Sequence, residues 1–272
     1  MALGIGANTA IFSVEHGVLL RPLPFPAQDQ LLFIGEWSQQ VPAMSVSYPN
    51  FLDWRARQQT LSAIGVARFQ GFNYIGPTDT ERLTGAMASH DLFTALGVAP
   101  LRGRLFRAEE DKPGAERTVL IGESLWRRLF GGRDSILGEK IQLSGDLYTV
   151  IGIMPAAFQY PSRLNELWVP PGLSADQPTY QTRGNHPGLY AVARLKPGVS
   201  CDAALADLKA IAHQLAEEYP QANARQSVAV QRLTDRAVGS VRPALFIMLG
   251  AAGFVLQIAC ANVANLQLAR AT

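Results

Sequence analysis

The chain has 272 residues, with 24 lysines and arginines against 22 acidic residues, so its net charge of +2 is close to balance. No basic tract stands out, which excludes nucleic acid as a partner on electrostatic grounds. The two cysteines, Cys201 and Cys260, are too few for a disulfide framework or a zinc site.

The first segment, Met1 to Val14, carries no charge and is followed by Glu15, His16 and the apolar Gly17 to Leu20. Residues 1–20 read as the end of a first transmembrane helix. A secretory signal would begin with a basic stretch, and none precedes these residues. Ala2, Gly6 and Ala10 recur at four-residue steps, which would let a neighbouring helix approach closely, unless the stripe of small residues has no specific partner.

Residues 21–240 have the mixed polarity and the glycine and proline content of a water-exposed domain with its own core. Leu31 to Trp37 reads as a strand, and Pro49 to Arg57 as a helix capped by Ser47 with Phe51 and Trp54 on one face. Ala67 to Ser89 reads as two antiparallel strands around Gly76-Pro77-Thr78-Asp79, followed by a helix from Asp91 to Leu96, capped by Ser89 and stopped at Gly97. Arg117 to Ile121 reads as a buried strand and Glu123 to Phe130 as a helix ending at Gly131-Gly132. Lys140 to Leu143 and Leu147 to Ile153 alternate around Ser144-Gly145-Asp146, the chemistry of a tight hairpin. Strand Leu189 to Lys196, helix Asp202 to Tyr219 and strand Ser227 to Leu233 make a βαβ unit. Leu205, Leu208, Ala212, Leu215 and Tyr219 form the apolar stripe of its helix, which Pro220 ends. These elements predict an α+β domain whose βαβ-containing base is split around an inserted mixed subdomain at about 60–185.

Residues 243–269 are again without charge and are bounded by Arg242 and Arg270. About 20 apolar residues of helix cross a bilayer, so residues 241–272 read as a second transmembrane helix, with a buried core helix as the alternative. Gln257, Ala261 and Asn265 fall at four-residue steps beside Asn262. This stripe faces another helix, or else its asparagines lie in the interfacial zone and need no partner.

Chemistry is sparse. No GxxxxGK[ST] loop occurs, so ATP is not held by this route. Gly4-Ile5-Gly6 has no preceding strand and continues to Thr9 in place of the third glycine, and Gly122-Glu123-Ser124 lacks the second glycine of a nucleophile elbow. His16, His90, His186 and His213 have no metal-ligand spacing and read as surface or locally hydrogen-bonded residues. Glu109-Glu110-Asp111 and Glu217-Glu218 read as solvated charge runs. The expectation is no catalytic residue, no cofactor and no metal.

Taken together, several blocks resemble the MacB/FtsX-type ABC transporter permeases, in particular the acidobacterial duplicated orphan permeases. They are ALGIGANTAIFSV (Ala2 to Val14), SYPNFLDWRAR (Ser47 to Arg57), LGVAPLRGRLF (Leu96 to Phe106), LWRRLFGG (Leu125 to Gly132), YTVIGIMPAAFQYP (Tyr148 to Pro161), ELWVP (Glu166 to Pro170), LKPGVS (Leu195 to Ser200) and GFVLQIACANVANLQLARA (Gly253 to Ala271). The resemblance implies a MacB-like periplasmic core domain at 21–240, held between the first two transmembrane helices in the bacterial inner membrane. A separate cytoplasmic ABC ATPase would drive conformational change for efflux or export. The partners implied are that ATPase, membrane lipid, a periplasmic adaptor or substrate, and a second permease as a dimer or a duplicated half. The family's other transmembrane helices lie outside these residues, so a fragment is expected. Glu15-His16 departs from the usual apolar run and would end the first helix at the periplasmic surface. The alternative is a membrane-tethered envelope binding or scaffold protein without transport.

Overall fold

Local chemistry sets most of the elements in the computed structural model, which describes residues 23–77, 79–239 and, within 247–261, positions 247, 248, 250–255, 257, 258, 260 and 261. The apolar run LLFIGEW forms strand β1 (Leu31–Trp37), buried up to Glu36. Helix α1 (Tyr48–Arg57) starts where Ser47 Oγ accepts from the Asn50 amide and Pro49 occupies the first turn. β2 (Leu61–Ile75) and β3 (Thr80–Ala88) follow, then α2 (His90–Leu96), which ends on Gly97 in the left-handed region at φ 67°. The short β4 (Arg102–Gly103), β5 (Thr118–Gly122), α3 (Glu123–Phe130), β6 (Lys140–Leu143), β7 (Asp146–Met154) and β8 (Leu167–Val169) come next. β9 (Tyr190–Leu195), α4 (Cys201–Glu218) and β10 (Ser227–Arg232) follow.

Residues 24–233 form one compact unit. Its base is the sheet β10-β1-β9-β2, in which β1 runs antiparallel to both β10 and β9, and β9 antiparallel to β2. The expected βαβ unit therefore takes an interleaved form. β9 and β10 run parallel, but β1 lies between them, and β9 in turn lies between β1 and β2. This is the split arrangement of a ferredoxin-like sheet, with the chain from β3 to β8 inserted between its second and third strands. α1 and α4 pack the base through Phe51, Trp54, Leu208, Ile211 and Leu215, all buried. Leu205 of the expected stripe is only half-buried, and Tyr219 stays exposed beneath the Arg183 guanidinium, 3.7 Å from the ring centre.

β2 has 15 residues, about 50 Å of extended chain, and joins two parts of one continuous sheet. Its first half, to Ala67, pairs with β9, and from Ala67 to Ile75 it pairs with β3. Beyond β3 the pairing continues to β8, β5, β7 and β6, and β6 returns to β2 at Tyr74 and Ile75, closing a ring of strands. Closure leaves β10, at the far side of the base, and the two-residue β4 as the ends of the strand path. α2 covers the face of the base opposite α1 and α4, because Gly65, which meets Leu92, points away from Ile64 and Val66. Beneath it, Phe93 packs with Phe106 and Phe158 at 5.6 Å each, and Phe158 with Trp168 at 5.0 Å. Such pairs add about 0.5–1.5 kcal/mol each beyond their buried area.

Two expectations need correction. Ser89 does precede α2, but its hydroxyl does not cap the helix; it accepts from the Val66 amide of β2 at 2.9 Å. Nor is Glu109-Glu110-Asp111 wholly solvated, since Glu110 and Asp111 are buried at 8% and 7% exposure. Arg104 grips Glu110 with two bonds of 2.8 Å, and Asp111 accepts from His90. These partners lie outside the run itself, so its local sequence shows only the charge.

In the second unit, positions 247, 248, 250–255, 257, 258, 260 and 261 are helical, and Ile247, Phe254 and Ile258 are 62–74% exposed. Among the described residues no helix is long and apolar enough to cross a membrane. The expected first transmembrane helix, at 1–20, lies outside the described residues, as does much of the second.

Candidate functional site

The expected helix-contact residues divide in two. Ala2, Gly6, Ala10 and Asn265 lie outside the described residues, while Gln257 and Ala261 lie on the helical stretch and are exposed. The polar chemistry of the described residues gathers elsewhere, in two clusters around α1.

The first surrounds Glu36, 1% exposed near the end of β1. Its Oε1 accepts from the Ser47 amide and the Asn50 side-chain amide, both at 2.9 Å, and its Oε2 meets His186 Nε2 at 2.7 Å. Asn50 Oδ1 accepts from Arg183 at 2.8 Å and from Asn223 at 3.0 Å. Arg183 also pairs with Asp53 at 2.6 Å, without hydrogen-bond alignment. The cluster thus ties β1, α1, the 183–186 segment and the turn after α4 together. The hydrogen bond to Glu36 raises the His186 pKa against the opposing effect of burial.

The second is set by Asp111. Its Oδ2 accepts from the His90 backbone amide at 2.8 Å and meets His90 Nδ1 at 2.7 Å, while the other ring nitrogen lies 3.1 Å from Asp91. The bonds to Asp111 and then Asp91 carry the His90 pKa to about 9, so the ring is an imidazolium at neutral pH. Burial, with Asp111 adding to it, pushes Tyr48 up to about 12 and keeps the phenol neutral. Asp111 Oδ1 is buried and has no hydrogen-bond partner.

His90 makes stability pH-dependent. Above the unfolded value of 6.5 the folded state keeps a proton that the unfolded chain has released, so stability falls as pH rises from 6.5 towards 9. After allowance for solvent screening of the partly exposed ring, the loss expected is about 1–2 kcal/mol. Urea titrations at pH 6, 7.5 and 9 test it. Tryptophan fluorescence reports the unit, since all four tryptophans lie in residues 24–233. His90→Gln should flatten this slope, and an unchanged slope would refute the assignment.

Beside Asp111 a crevice of about 390 Å³ opens between α1, the 111–113 turn and residues 175–181. Tyr48, Pro49, Leu52, Pro113, Ala175 and Tyr180 form apolar walls, and Arg55, Lys112, Asp111 and Gln181 supply the polar groups. Tyr180 is fixed by its hydroxyl, which accepts from Arg68 at 2.6 Å and donates to Met87 Sδ at 3.2 Å. The volume is within the range of small-molecule sites. Among the described residues no group of three or more His, Cys, Asp or Glu side chains could hold a metal ion. Sequence reasoning missed both clusters; the single local signal was a glutamate inside a strand of otherwise apolar residues.

The comparisons with known proteins concern this fold. No curated protein matches the chain. A permease-protein domain from Porphyromonas gingivalis matches at TM-score 0.61 and 17% identity, over 77% of this chain and 93% of that one. The periplasmic region of MacB from Actinobacillus actinomycetemcomitans matches at TM-score 0.56 and 12% identity, over 83% and 98%. The extracellular domain of the noncanonic ABC-type transporter YknZ from Gram-positive bacteria matches at 0.53 and 13%, over 73% and 99%. At these identities the likeness establishes the fold, a mixed α+β domain of the MacB periplasmic type. The profile of the MacB-like periplasmic core domain matches residues 1–211, and the chain belongs to that family.

Proposed function

We propose that this chain is part of an ABC-type permease of the bacterial inner membrane. In this reading its 21–240 domain lies outside the membrane, and it couples a separate cytoplasmic ATPase to conformational change for efflux or export. The observation that carries the reading is the family match, together with the pairing of the domain's first and last strands. Leu32 at the start of β1 lies opposite Arg232 at the end of β10, and Arg232 donates to the Asp29 carbonyl at 2.8 Å. A displacement between the two flanking segments would therefore act directly on the β10-β1 ladder and, through β9, on β2 and the strand ring. Transmembrane helices at 1–20 and 241–272 complete the proposal, supported at the second by the exposed Ile247, Phe254 and Ile258.

In the same reading the inserted segment, expected at about 60–185, is a second subdomain that begins beyond Ala67, because Leu61 to Ala67 of β2 pair with β9 in the base. Ala2, Gly6, Ala10, Gln257, Ala261 and Asn265 contact neighbouring helices, and the permease works as a dimer or with a duplicated half. A periplasmic adaptor or substrate would be met by the outer domain. A tethered binding protein without transport is the second reading, favoured by the crevice beside α1. The test places a thiol at the exposed Lys209 of α4 (Lys209→Cys, with Cys201→Ser and Cys260→Ser) and measures the ATPase activity that purifies with the protein. Labelling of intact cells by an impermeant maleimide, with associated ATPase activity, is expected. Labelling only after permeabilisation would overturn the topology, and outside labelling without ATPase activity would leave the binding reading.

A further inference from the structure

β2 changes partners at Ala67, which lies opposite Tyr190 of β9 in the base and opposite Ala88 of β3 in the strand ring. Base and ring therefore meet at one position of β2, and packing on either side of it sets their angle. On the α2 side that packing is apolar, through Phe93 against Phe106 and Phe158 of the inserted segment. On the α1 side contact is incomplete, for the crevice of about 390 Å³ lies there, between α1 of the base and residues 111–113 of the insertion. The segment that leads from β8 back to β9 spans this opening. Tyr180, 2% exposed, accepts from Arg68 and donates to Met87 Sδ, and these two form the first residue pair beyond Ala67. Its ring also meets Tyr48 of α1 edge to face, at 5.8 Å between centres. Three residues on, Arg183 donates to Asn50 of α1 and covers the Tyr219 ring after α4, and His186 then meets Glu36 of β1. The hydroxyl of Tyr180 is thus tied to the ring, and residues 183–186 are tied to the base. Gln181 and Thr182 alone separate the two anchors, which leaves about 10 Å of fully extended chain between them.

We infer that residues 180–186 form a clasp that holds the strand ring against the base. Its release lets the two swing apart about Ala67, with the crevice as the cleft that widens. The α1 side opens because its hydrogen bonds exchange for bonds to water, each at a small net cost. Parting Phe93 from Phe106 and Phe158 would instead expose aromatic surface with no such replacement, so the α2 side serves as the pivot. Hinge and clasp both lie within residues 24–233, so the device stands whether the domain serves a transporter or a tethered binding protein.

Double electron–electron resonance on the full chain in lipid nanodiscs reads the angle. Spin labels at the exposed Lys209 of α4 and Lys140 of β6 report base to ring, and labels at Lys209 and the exposed Gln39 report within the base. The labelled chains carry Lys209→Cys with Lys140→Cys or Gln39→Cys, in a Cys201→Ser, Cys260→Ser background. With the clasp intact, one narrow base-to-ring distance is expected. Tyr180→Phe with Arg183→Gln removes the bonds to Arg68, Met87 and Asn50 while keeping the aromatic packing of residue 180. At roughly 5-fold for each ordinary bond, the open-to-closed ratio should rise about 100-fold and add a longer distance. A Gly-Ser-Gly insertion between the exposed Gln181 and Thr182 leaves every anchoring side chain in place but lengthens the tether, and should add a longer distance as well. The Lys209 to Gln39 distance should stay as it was. A base-to-ring distance unchanged in both variants would overturn the clasp. So would a lengthening shared by the Gln39 pair, since the base itself would then have loosened, and so would two base-to-ring distances in the chain with its clasp intact.

Discussion

Glu36→Ala is expected to cost about 3–5 kcal/mol of folding stability, the loss seen when one partner is removed from a buried, hydrogen-bonded charge pair. The substitution leaves the Ser47 amide, the Asn50 amide and the His186 ring without the acceptor they share, at a position 1% exposed. No water replaces a carboxylate's full set of bonds in so closed a place, so the donors bear their desolvation uncompensated. Glu36→Gln separates the parts of this effect. Its carbonyl oxygen can still accept from Ser47 and Asn50, which both address Oε1, and only the pairing with His186 at Oε2 is lost. A loss of about 1–2 kcal/mol is expected for Gln. Urea titration at pH 6, where the His186 ring is charged, gives the comparison. Glu36→Ala should also lower the pH at which His186 titrates, because the hydrogen bond that raises it is gone. Equal losses for Ala and Gln would mean that the His186 contact carries the whole effect and that the amide acceptor bonds contribute nothing.

How much of this was legible in the sequence depended on how far apart the interacting residues lie. The hairpin of β6 and β7 was plain because its chemistry is local: Ser144 and Gly145 adopt φ 51° and 98°, as a two-residue turn requires. The α1 cap at Ser47 and the α2 and α3 stops at Gly97 and Gly131 were legible for the same reason. The position of β1 between β9 and β10 was not, since it joins residues 32–37 to 227–232, and neither strand's pattern names its neighbour. Ring closure by β6 against Tyr74 and Ile75 was hidden in the same way. Both polar clusters depend on such distant pairs. Glu36 needs His186, and Asp111 needs His90, so each acid taken with its neighbours reads as surface charge. The crevice is farther still from view, because its walls come from 48–55, 111–113 and 175–181.

Gly65→Ala should be the most disruptive single methyl group in the base, with a loss of at least about 3 kcal/mol, at the upper end of what overpacking costs. A Cβ at Gly65 would lie 2.2 Å from the Leu92 backbone nitrogen and 2.4 Å from its Cα. Neither atom can rotate away, so relief requires α2 to lift from β2. Several contacts oppose that movement. Ser89 exchanges bonds with Val66, through its hydroxyl at 2.9 Å and its amide at 3.0 Å, and Arg194 Nε of β9 donates to the Ala95 carbonyl at 2.7 Å. Leu92 and Phe93 are fully buried and would have to withdraw from the core as well. Gly184→Ala is the control, since nothing lies within 4 Å of its added Cβ, and a change within about 0.5 kcal/mol is expected there. Urea midpoints at an unchanged slope measure both. A Gly65→Ala midpoint equal to that of Gly184→Ala would show that α2 shifts freely, and would remove the rigid link by which β2 and β9 hold α2 and its aromatic cluster. A large loss confined to Gly65→Ala would mean that α2 is held too tightly on β2 to make room for one methyl group.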